Sequence, residues 1–458
     1  MSIRRILIAN RGEIAVRIVR TCRALGIESV LATSEIDRDS LPARLATRAV
    51  CIGPAHPIAS YLKMEALVQA ALGTACDAIH PGYGFLSERA AFARLCEQQG
   101  LIFIGPTAEQ LAAAGDKLAA RALAEEAGVP VAPGLEAHSP TAAREFAARI
   151  GMPLLVKAAG GGGGRGMKLV ERAEDLDDAL QLASTEAGAA FGDARVYLER
   201  FVSRARHVEV QVLGDGAGQV MHLGERDCSV QRRYQKLIEE TPAPGLPAPL
   251  RAQLHDAALR FAARLAYRGA GTVEFLVDAT RAEFFFLEMN ARIQVEHPVT
   301  EAVSGVDIVA AQIAIADGGG LDIARDDPRR EACAIECRIN AEDPARDFAP
   351  SPGTVTSALW PQGEGLRIDT HIQSGSRVPP YYDSLLGKII ARGRDRAEAL
   401  ARLRAAIAMT RIEGVAHNLA LHAEVLADPE FVSGGVDTNY LARLLARRPP
   451  QPLAVAHG

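Results

Sequence analysis

Lysine is scarce in this chain. Lys63, Lys117, Lys157, Lys168, Lys236 and Lys388 are the only six in 458 residues whose Lys+Arg total is 51. Arginine therefore supplies the general positive charge. A lysine is a compact point charge with three rotatable donors, a role that arginine's planar fork cannot always fill. Each of the six is thus a candidate for a constrained position, although Lys63, in a surface-helix pattern, also fits chance survival. The seven cysteines are odd in number and scattered, which excludes a disulfide framework. Cys333 and Cys337 have a loose metal-like spacing but no second pair nearby, and their apolar surroundings read as packing. Charge of one sign is nowhere concentrated and the net charge is -5, which argues against a nucleic-acid groove. No apolar run approaches the roughly 20 residues of a membrane span. The short apolar run before Asn10 is too brief for a secretory core. The expectation is a soluble cytoplasmic protein with no nucleic-acid or membrane partner. No repeat of fixed period is present.

What is there begins with alternation. Ile6–Ala9, Ser29–Thr33, Ala49–Ile52, Asp77–His80 and Leu101–Ile104 read as strands, and Ile14–Leu25, Tyr61–Ala71 and Ala90–Gln99 as helices. Strand–helix alternation predicts a parallel sheet covered by helices on both faces. Its first turn, Asn10-Arg11-Gly12-Glu13, is not G-x-G-x-x-G, so a common dinucleotide site is unsupported. A helix is predicted from about Asp116 to Ala132, stopped by Ala127-Gly128-Val129-Pro130. A small unit follows over 133–203, with a strand ending at Lys157, a strand Met167–Val170 and a helix over 174–189. Residues 204–330 read as antiparallel strands plus helices. Residues 331–445 read as a strand-rich unit ending in two helical segments, and the residues beyond as a loose tail.

Two segments carry chemistry. Five consecutive glycines begin at Gly160, just past Lys157 and before Arg165-Gly166-Met167-Lys168. Without Cβ atoms, such a backbone can approach a polyanion and offer N–H donors. The layout is strand–loop–strand and G-K-[ST] is missing, so a P-loop is excluded. A hairpin closing over nucleotide phosphates fits; a plain flexible linker is the other reading. The second segment pairs Gly271-Thr-Val-Glu274-Phe-Leu-Val277 with Glu283-Phe-Phe-Phe-Leu-Glu288-Met-Asn290. If Glu274 faces Glu288, the turn falls inside Asp278–Ala282, and strand alternation puts Glu288 and Asn290 on one face. Two carboxylates and an amide make an oxygen-rich site suited to Mg²⁺. Glu288, Asn290, Arg292, Gln294 and Glu296 then occupy every second position, so an extended stretch would line them up along one edge. A solvated amphipathic face is the plainer alternative.

The chain resembles the biotin carboxylase family of ATP-grasp enzymes over nearly its whole length. The resemblance rests on Ile8-Ala-Asn-Arg-Gly-Glu-Ile14, His80-Pro-Gly-Tyr-Gly-Phe-Leu-Ser-Glu88, the Gly160–Gly166 loop, Glu225-Arg-Asp-Cys-Ser229 with Gln231-Arg-Arg, and the run Glu288–Glu301. It continues through Glu336-Cys-Arg-Ile-Asn-Ala-Glu-Asp343, Pro350-Ser-Pro-Gly353 and Pro380-Tyr-Tyr-Asp-Ser384. It implies an α/β and α+β fold: a Rossmann-like N-terminal domain over 1–115, an ATP-grasp region over 116–330 with a mobile lid over about 133–203, a strand-rich C-terminal domain over 331–446 and a tail over 447–458.

By position, the resemblance implies that Lys117 and Lys157 touch ATP phosphates, with Gly163 and Gly164 in the lid. Glu199, Val202, His207 and Leu276 border the adenosine. Glu274, Glu288 and Asn290 hold Mg²⁺, or Mn²⁺ in its place. Lys236, Arg292, Gln294 and Val295 hold bicarbonate, Glu296 is the general base, Arg338 meets the ureido oxygen of biotin, and Tyr83 lies near biotin. Tyr234 stands where close relatives usually carry His, at a position expected to touch the nucleotide. The implied activity is carboxylation of biotin on a separate carrier protein, through carboxyphosphate, as the first half-reaction of an acetyl-CoA or related acyl-CoA carboxylase in fatty acid biosynthesis. The implied partners are a biotin carboxyl carrier protein, carboxyltransferase subunits and a second copy in a homodimer. No Ala-Met-Lys-Met attachment segment and no transferase-sized region follow, so biotin is expected to come bound to another chain. An ATP-grasp ligase of another specificity and a non-catalytic nucleotide-binding subunit are the competing readings.

Overall fold

The computed structural model describes residues 2–137, 139–159, 167–278, 281–321 and 332–448. The glycine loop, with Gly163 and Gly164, and nearly all of the tail lie outside the described residues.

Strands β1 (Arg5–Ile8), β2 (Glu28–Ser34), β3 (Arg48–Gly53), β4 (Ala78–His80) and β5 (Ile102–Phe103) form a parallel sheet in the order β3-β2-β1-β4-β5. The predicted strands sit within a residue or so of these. Helices Gly12–Ala24, Met64–Gly73 and Ala90–Gln98 supply the crossovers. Ile6, Leu7 and Ile8 are all buried, as a strand covered on both faces requires.

The helix predicted over 116–132 is the shorter Lys117–Glu126, and a separate helix, Ala108–Gly115, stands directly before it. The break is made by Asp116, whose carboxylate accepts from Leu118 N and Ala119 N and so caps the second helix. That cap sets Lys117 at the first position of a new helix.

The small unit is a four-stranded sheet of β6 (Gly134–Glu136), β7 (Leu154–Ala158), β8 (Met167–Val170) and β9 (Val196–Arg200), ordered β6-β9-β7-β8. It has its own core of Phe146, Leu154, Val156, Leu176 and Leu198. Its helix runs Leu176–Phe191 and stops at left-handed Gly192.

The larger body is an eight-stranded sheet. Strands β10 (Arg206–Asp215), β11 (Val220–Arg232), β12 (Gln235–Thr241), β13 (Arg268–Asp278), β14 (Glu283–Asn290) and β15 (Cys333–Asn340) are joined by strands Leu385–Gly393 and Leu366–Thr370. The order runs β14-β13-β10-β11-β12-β15, then Leu385–Gly393, then Leu366–Thr370. One sheet thus takes strands from both sides of residue 330. The C-terminal part carries more helix than the two segments expected, with Arg396–Met409, Leu419–Ala427, Pro429–Ser433 and Tyr440–Ala446. Asp395 and Asp428 cap the first and third. Cys337 is buried in that core and Cys333 borders it, in line with packing roles. Among the described residues no single helix is long and apolar enough to cross a membrane.

Candidate functional site

The register of β13 on β14 puts Glu274 directly opposite Glu288 and Thr272 opposite Asn290. Directly opposed residues share a face, so the two carboxylates and the amide come together. β14 ends at Asn290. The extended edge predicted through Glu296 is therefore replaced by a loop, and helix His297–Ser304 starts with Glu296 at its N-cap and Pro298 in its first turn. Arg292, Gln294 and Glu296 still face the same cavity, because the loop is clamped. Ala291 N donates to Glu88, Arg292 Nε to Glu88 at 2.8 Å and Arg292 Nη2 to Asn290 Oδ1 at 2.7 Å.

That cavity has a volume of about 620 Å³ and opens between the small four-stranded unit, the large sheet and the first turn of the parallel sheet. The volume suits a small-molecule site. Among the described residues it gathers every side chain singled out above for a role. Lys117, Lys157, Glu199, Val202, His207 and Leu276 line one part, and Glu274, Glu288 and Asn290 lie beside them. Lys236, Arg292, Gln294, Val295, Glu296, Arg338 and Tyr83 line the other. Lys168 is not brought in; it pairs with Glu186 at 3.1 Å. Lys63 is exposed, as a surviving surface lysine would be.

Charge in the cavity is neutralised by direct pairing. Lys236 Nζ donates to Glu209 at 2.5 Å, Glu296 at 2.7 Å and Glu274 at 2.8 Å. Arg338 donates to Glu239 at 2.5 Å and Glu296 at 2.8 Å. Arg226, fully buried beneath, donates to Glu209, Gln211, Thr300, Thr272 and Gln294. Gln294 and Asn290 both donate to Glu274 Oε1. Lys157 pairs with Glu199, while Lys117 stands 3.9 Å from Glu288.

These pairings set the protonation states. Burial would raise the Glu296 carboxyl, but Lys236, Arg338 and Arg226 outweigh it and hold the group well below the usual carboxylate range. Glu274 is likewise held low, burial being overcome by Lys236 and His207. Glu288 goes the other way: burial and the facing Glu274 raise it, against Lys117. An excess of anionic charge at Glu288, among hard oxygen donors, is what a divalent cation such as Mg²⁺ would relieve. The donor set therefore fits the ion.

Tyr234 sits at the tip of the β11–β12 hairpin, where Arg232 pairs with Gln235 across a two-residue turn. Arg233 and Tyr234 have φ of 47° and 67°. A two-residue turn of that hand matches strand twist but normally recruits Asn or Gly. Tyr234, 55% exposed, lies on the cavity rim.

Several residues were not legible beforehand. Glu209 could have been found, since His207, Glu209 and Gln211 alternate on β10. Glu88 closed a quoted motif without a role. Glu239 gave no local signal; it faces Glu336 only because β12 pairs with β15. Glu239 is pushed up to about 7 from an ordinary 4.5, with burial outweighing Arg338. The folded chain therefore holds this proton more tightly than the unfolded one. Its stabilisation is fully present below about pH 4.5 and fades as pH rises through about 7. Glu239→Gln removes that titration. Its melting temperature relative to the parent should climb between about pH 5 and about pH 8; a flat difference in scanning calorimetry would refute the assignment.

A nucleotide-sized cavity between a small antiparallel unit and a larger sheet, with two lysines and an acidic hairpin on its walls, defines an ATP-binding ligase architecture. Residues 116–324 match the model for the carbamoyl-phosphate synthase L chain, ATP binding domain. Residues 2–111 match the biotin carboxylase N-terminal domain and 336–443 the biotin carboxylase C-terminal domain. The biotin carboxylase of Pseudomonas aeruginosa is 50% identical over 444 residues, covering 96% of this chain and 98% of that one. Among solved structures, the biotin carboxylase–βγ–ATP complex from Campylobacter jejuni superposes with a TM-score of 0.92 at 44% identity, covering 96% and 99% of the two chains. The biotin carboxylase domain dimer of the Hydrogenobacter thermophilus 2-oxoglutarate carboxylase, in complex with MgADP, ADP and bicarbonate, gives 0.93 at 42%, covering 97% and 99%. The chain belongs to the biotin carboxylase family, whose members are ATP-dependent ligases.

Proposed function

We propose that this chain uses Mg-ATP and bicarbonate to carboxylate biotin carried on a separate protein. The observation that carries this reading is Glu296, held ionised between Lys236 and Arg338 in the same cavity as Lys117 and Lys157. Lys117 and Lys157 meet the ATP phosphates, and Glu199, Val202, His207, Leu276 and Tyr234 border the nucleoside. Glu274, Glu288 and Asn290 hold Mg²⁺, which when bound offsets phosphate charge.

Bicarbonate binds to Lys236, Arg292, Gln294 and Val295. Glu296 takes its proton. Without substrate, Lys236 and Arg338 keep Glu296 a weak base; an incoming anion that draws Lys236 toward itself raises the basicity of Glu296. A bicarbonate oxygen then attacks the γ-phosphorus and the bond to the ADP oxygen breaks, giving carboxyphosphate and ADP. Carboxyphosphate divides into CO₂ and phosphate. Phosphate accepts the ureido N–H proton of biotin, the nitrogen attacks CO₂, and Arg338 stabilises the negative charge on the ureido oxygen. Closure of the small unit, with its Gly163–Gly164 loop, keeps water from the intermediate.

The reading assigns the enzyme to the cytoplasm, as a homodimer working with a biotin carboxyl carrier protein and carboxyltransferase chains. The domain limits 1–115, 116–330 and 331–446 follow the same reading. The test is ADP release by the full chain with and without bicarbonate and free biotin. Release should require bicarbonate and rise with biotin. Turnover that needs an amine and ignores biotin would instead indicate an ATP-grasp ligase of another specificity.

A further inference from the structure

Of the six lysines, Lys388 has no part in the reaction just described, yet it is completely buried. It lies on strand Leu385–Gly393, directly opposite Arg338 on β15 and Asp369 on strand Leu366–Thr370. Its face of the sheet is the one that carries Arg338 to the cavity. Two cations directly opposed across strands repel, so each needs its own acids. Arg338 takes Glu239 and Glu296. Lys388 takes Glu13, at 3.0 Å, which comes from the first turn of helix Gly12–Ala24.

The second Lys388 contact points to a purpose. Its Nζ donates to the main-chain carbonyl of Val295 at 2.6 Å. The preceding carbonyl, of Gln294, accepts from His297 Nδ1 at 2.7 Å. Both peptide planes flanking Val295 are thereby fixed. In a trans peptide the N–H points opposite to the carbonyl, so these bonds fix where the Val295 and Glu296 N–H groups are aimed. Meanwhile the Tyr83 hydroxyl donates to the same Glu13 oxygen that pairs with Lys388. The Tyr83 main chain is already held by Asn10, whose amide donates to its carbonyl at 2.7 Å. Glu13 therefore governs the phenol alone. Glu13, Tyr83, Val295 and Glu296 all line the cavity.

We propose that Lys388 is a positioning residue: it fixes the Val295–Glu296 peptide for the bound anion and, through Glu13, the Tyr83 hydroxyl for the biotin ring. One buried ammonium then ties both substrate half-sites to the same strand. The inference rests on the biotin carboxylase reading above.

The test is Lys388→Met in the full chain, an uncharged replacement of similar length. ADP release is measured with bicarbonate, free biotin and ATP varied in turn. The KM for bicarbonate and the KM for biotin should each rise about tenfold, with the ATP KM within about twofold of the parent. A side chain that only braced the fold would lower the active fraction, and so kcat, without moving either KM. Unchanged KM values for both substrates overturn the proposal whatever happens to kcat. If Lys388→Met does not fold, Glu13→Gln decides: a biotin KM raised about threefold or more supports the relay, and an unchanged one refutes it. A parent chain showing no bicarbonate-dependent ADP release fails the functional reading itself, and the inference falls with it.

Discussion

Glu288→Lys leaves the chain folded and able to bind ATP but drops ADP release by on the order of 10³-fold or more. Glu288 faces Glu274 across the β13–β14 hairpin, and its side chain is 29% exposed toward the cavity. A lysine at this position has room to direct its ammonium outward, so the flanking packing of Phe286 and Met289 is preserved. What changes is the field. The parent presents two acids and an amide beside Lys117 and Lys157; the variant presents a third cation there. A cation at that point displaces the divalent ion by repulsion and by removing an oxygen donor. Phosphate binding, which the proposed function assigns to Lys117 and Lys157, survives, while the charge arrangement needed as the γ-phosphoryl group transfers is lost. Calorimetric ATP titration together with an ADP-release assay separates the two. Retained turnover at ordinary Mg²⁺ would rule out Glu288 as a ligand.

The hairpin behind that prediction was readable because its information is local. Symmetry about the 278–282 connection pairs Glu274 with Glu288, and period-two alternation adds Asn290. The register shift between Glu274 and Phe275 was not readable, nor was the end of β14 at Asn290. An alternating polar pattern continues past the strand there, because a clamped loop can aim side chains at one cavity as a strand can. The helix start at Asp116 was readable, whereas the helix Ala108–Gly115 just before it was not. Non-local pairing was the larger obstacle. β15 joins β12 from a distant part of the chain, and that pairing alone brings Arg338 to Glu239 and Glu296. Composition marked Lys388 as unusual but could not say that its partners would be Glu13 and a loop carbonyl. Resemblance supplied the roles of Lys236 and Arg338, whereas the acids that restrain them, Glu209 and Glu239, became apparent only with the fold.

Arg338→Ala should lower carboxylation of free biotin by on the order of 10²–10³-fold, up to about 4 kcal/mol of transition-state stabilisation. Bicarbonate-dependent ADP release without biotin should fall far less. The backbone at this position is held independently: the Arg338 carbonyl accepts from His422 Nε2 at 2.7 Å and Asn418 Nδ2 at 3.0 Å. The lost guanidinium therefore need not disturb β15. Its removal frees two acids. Glu239, already raised to about 7 by burial, loses its opposing cation and goes higher, so it stays protonated through neutral pH. Glu296 keeps Lys236 and Arg226 but loses one of the cations that hold it low, so its carboxyl rises. A base with a raised pKa needs a higher pH to be ionised, and the acid limb of the biotin-independent reaction must move upward in the variant. A residue that only braced the sheet would scale both reactions equally and leave that limb in place. Equal losses with and without biotin, over an unshifted pH profile, would remove Arg338 from the chemistry.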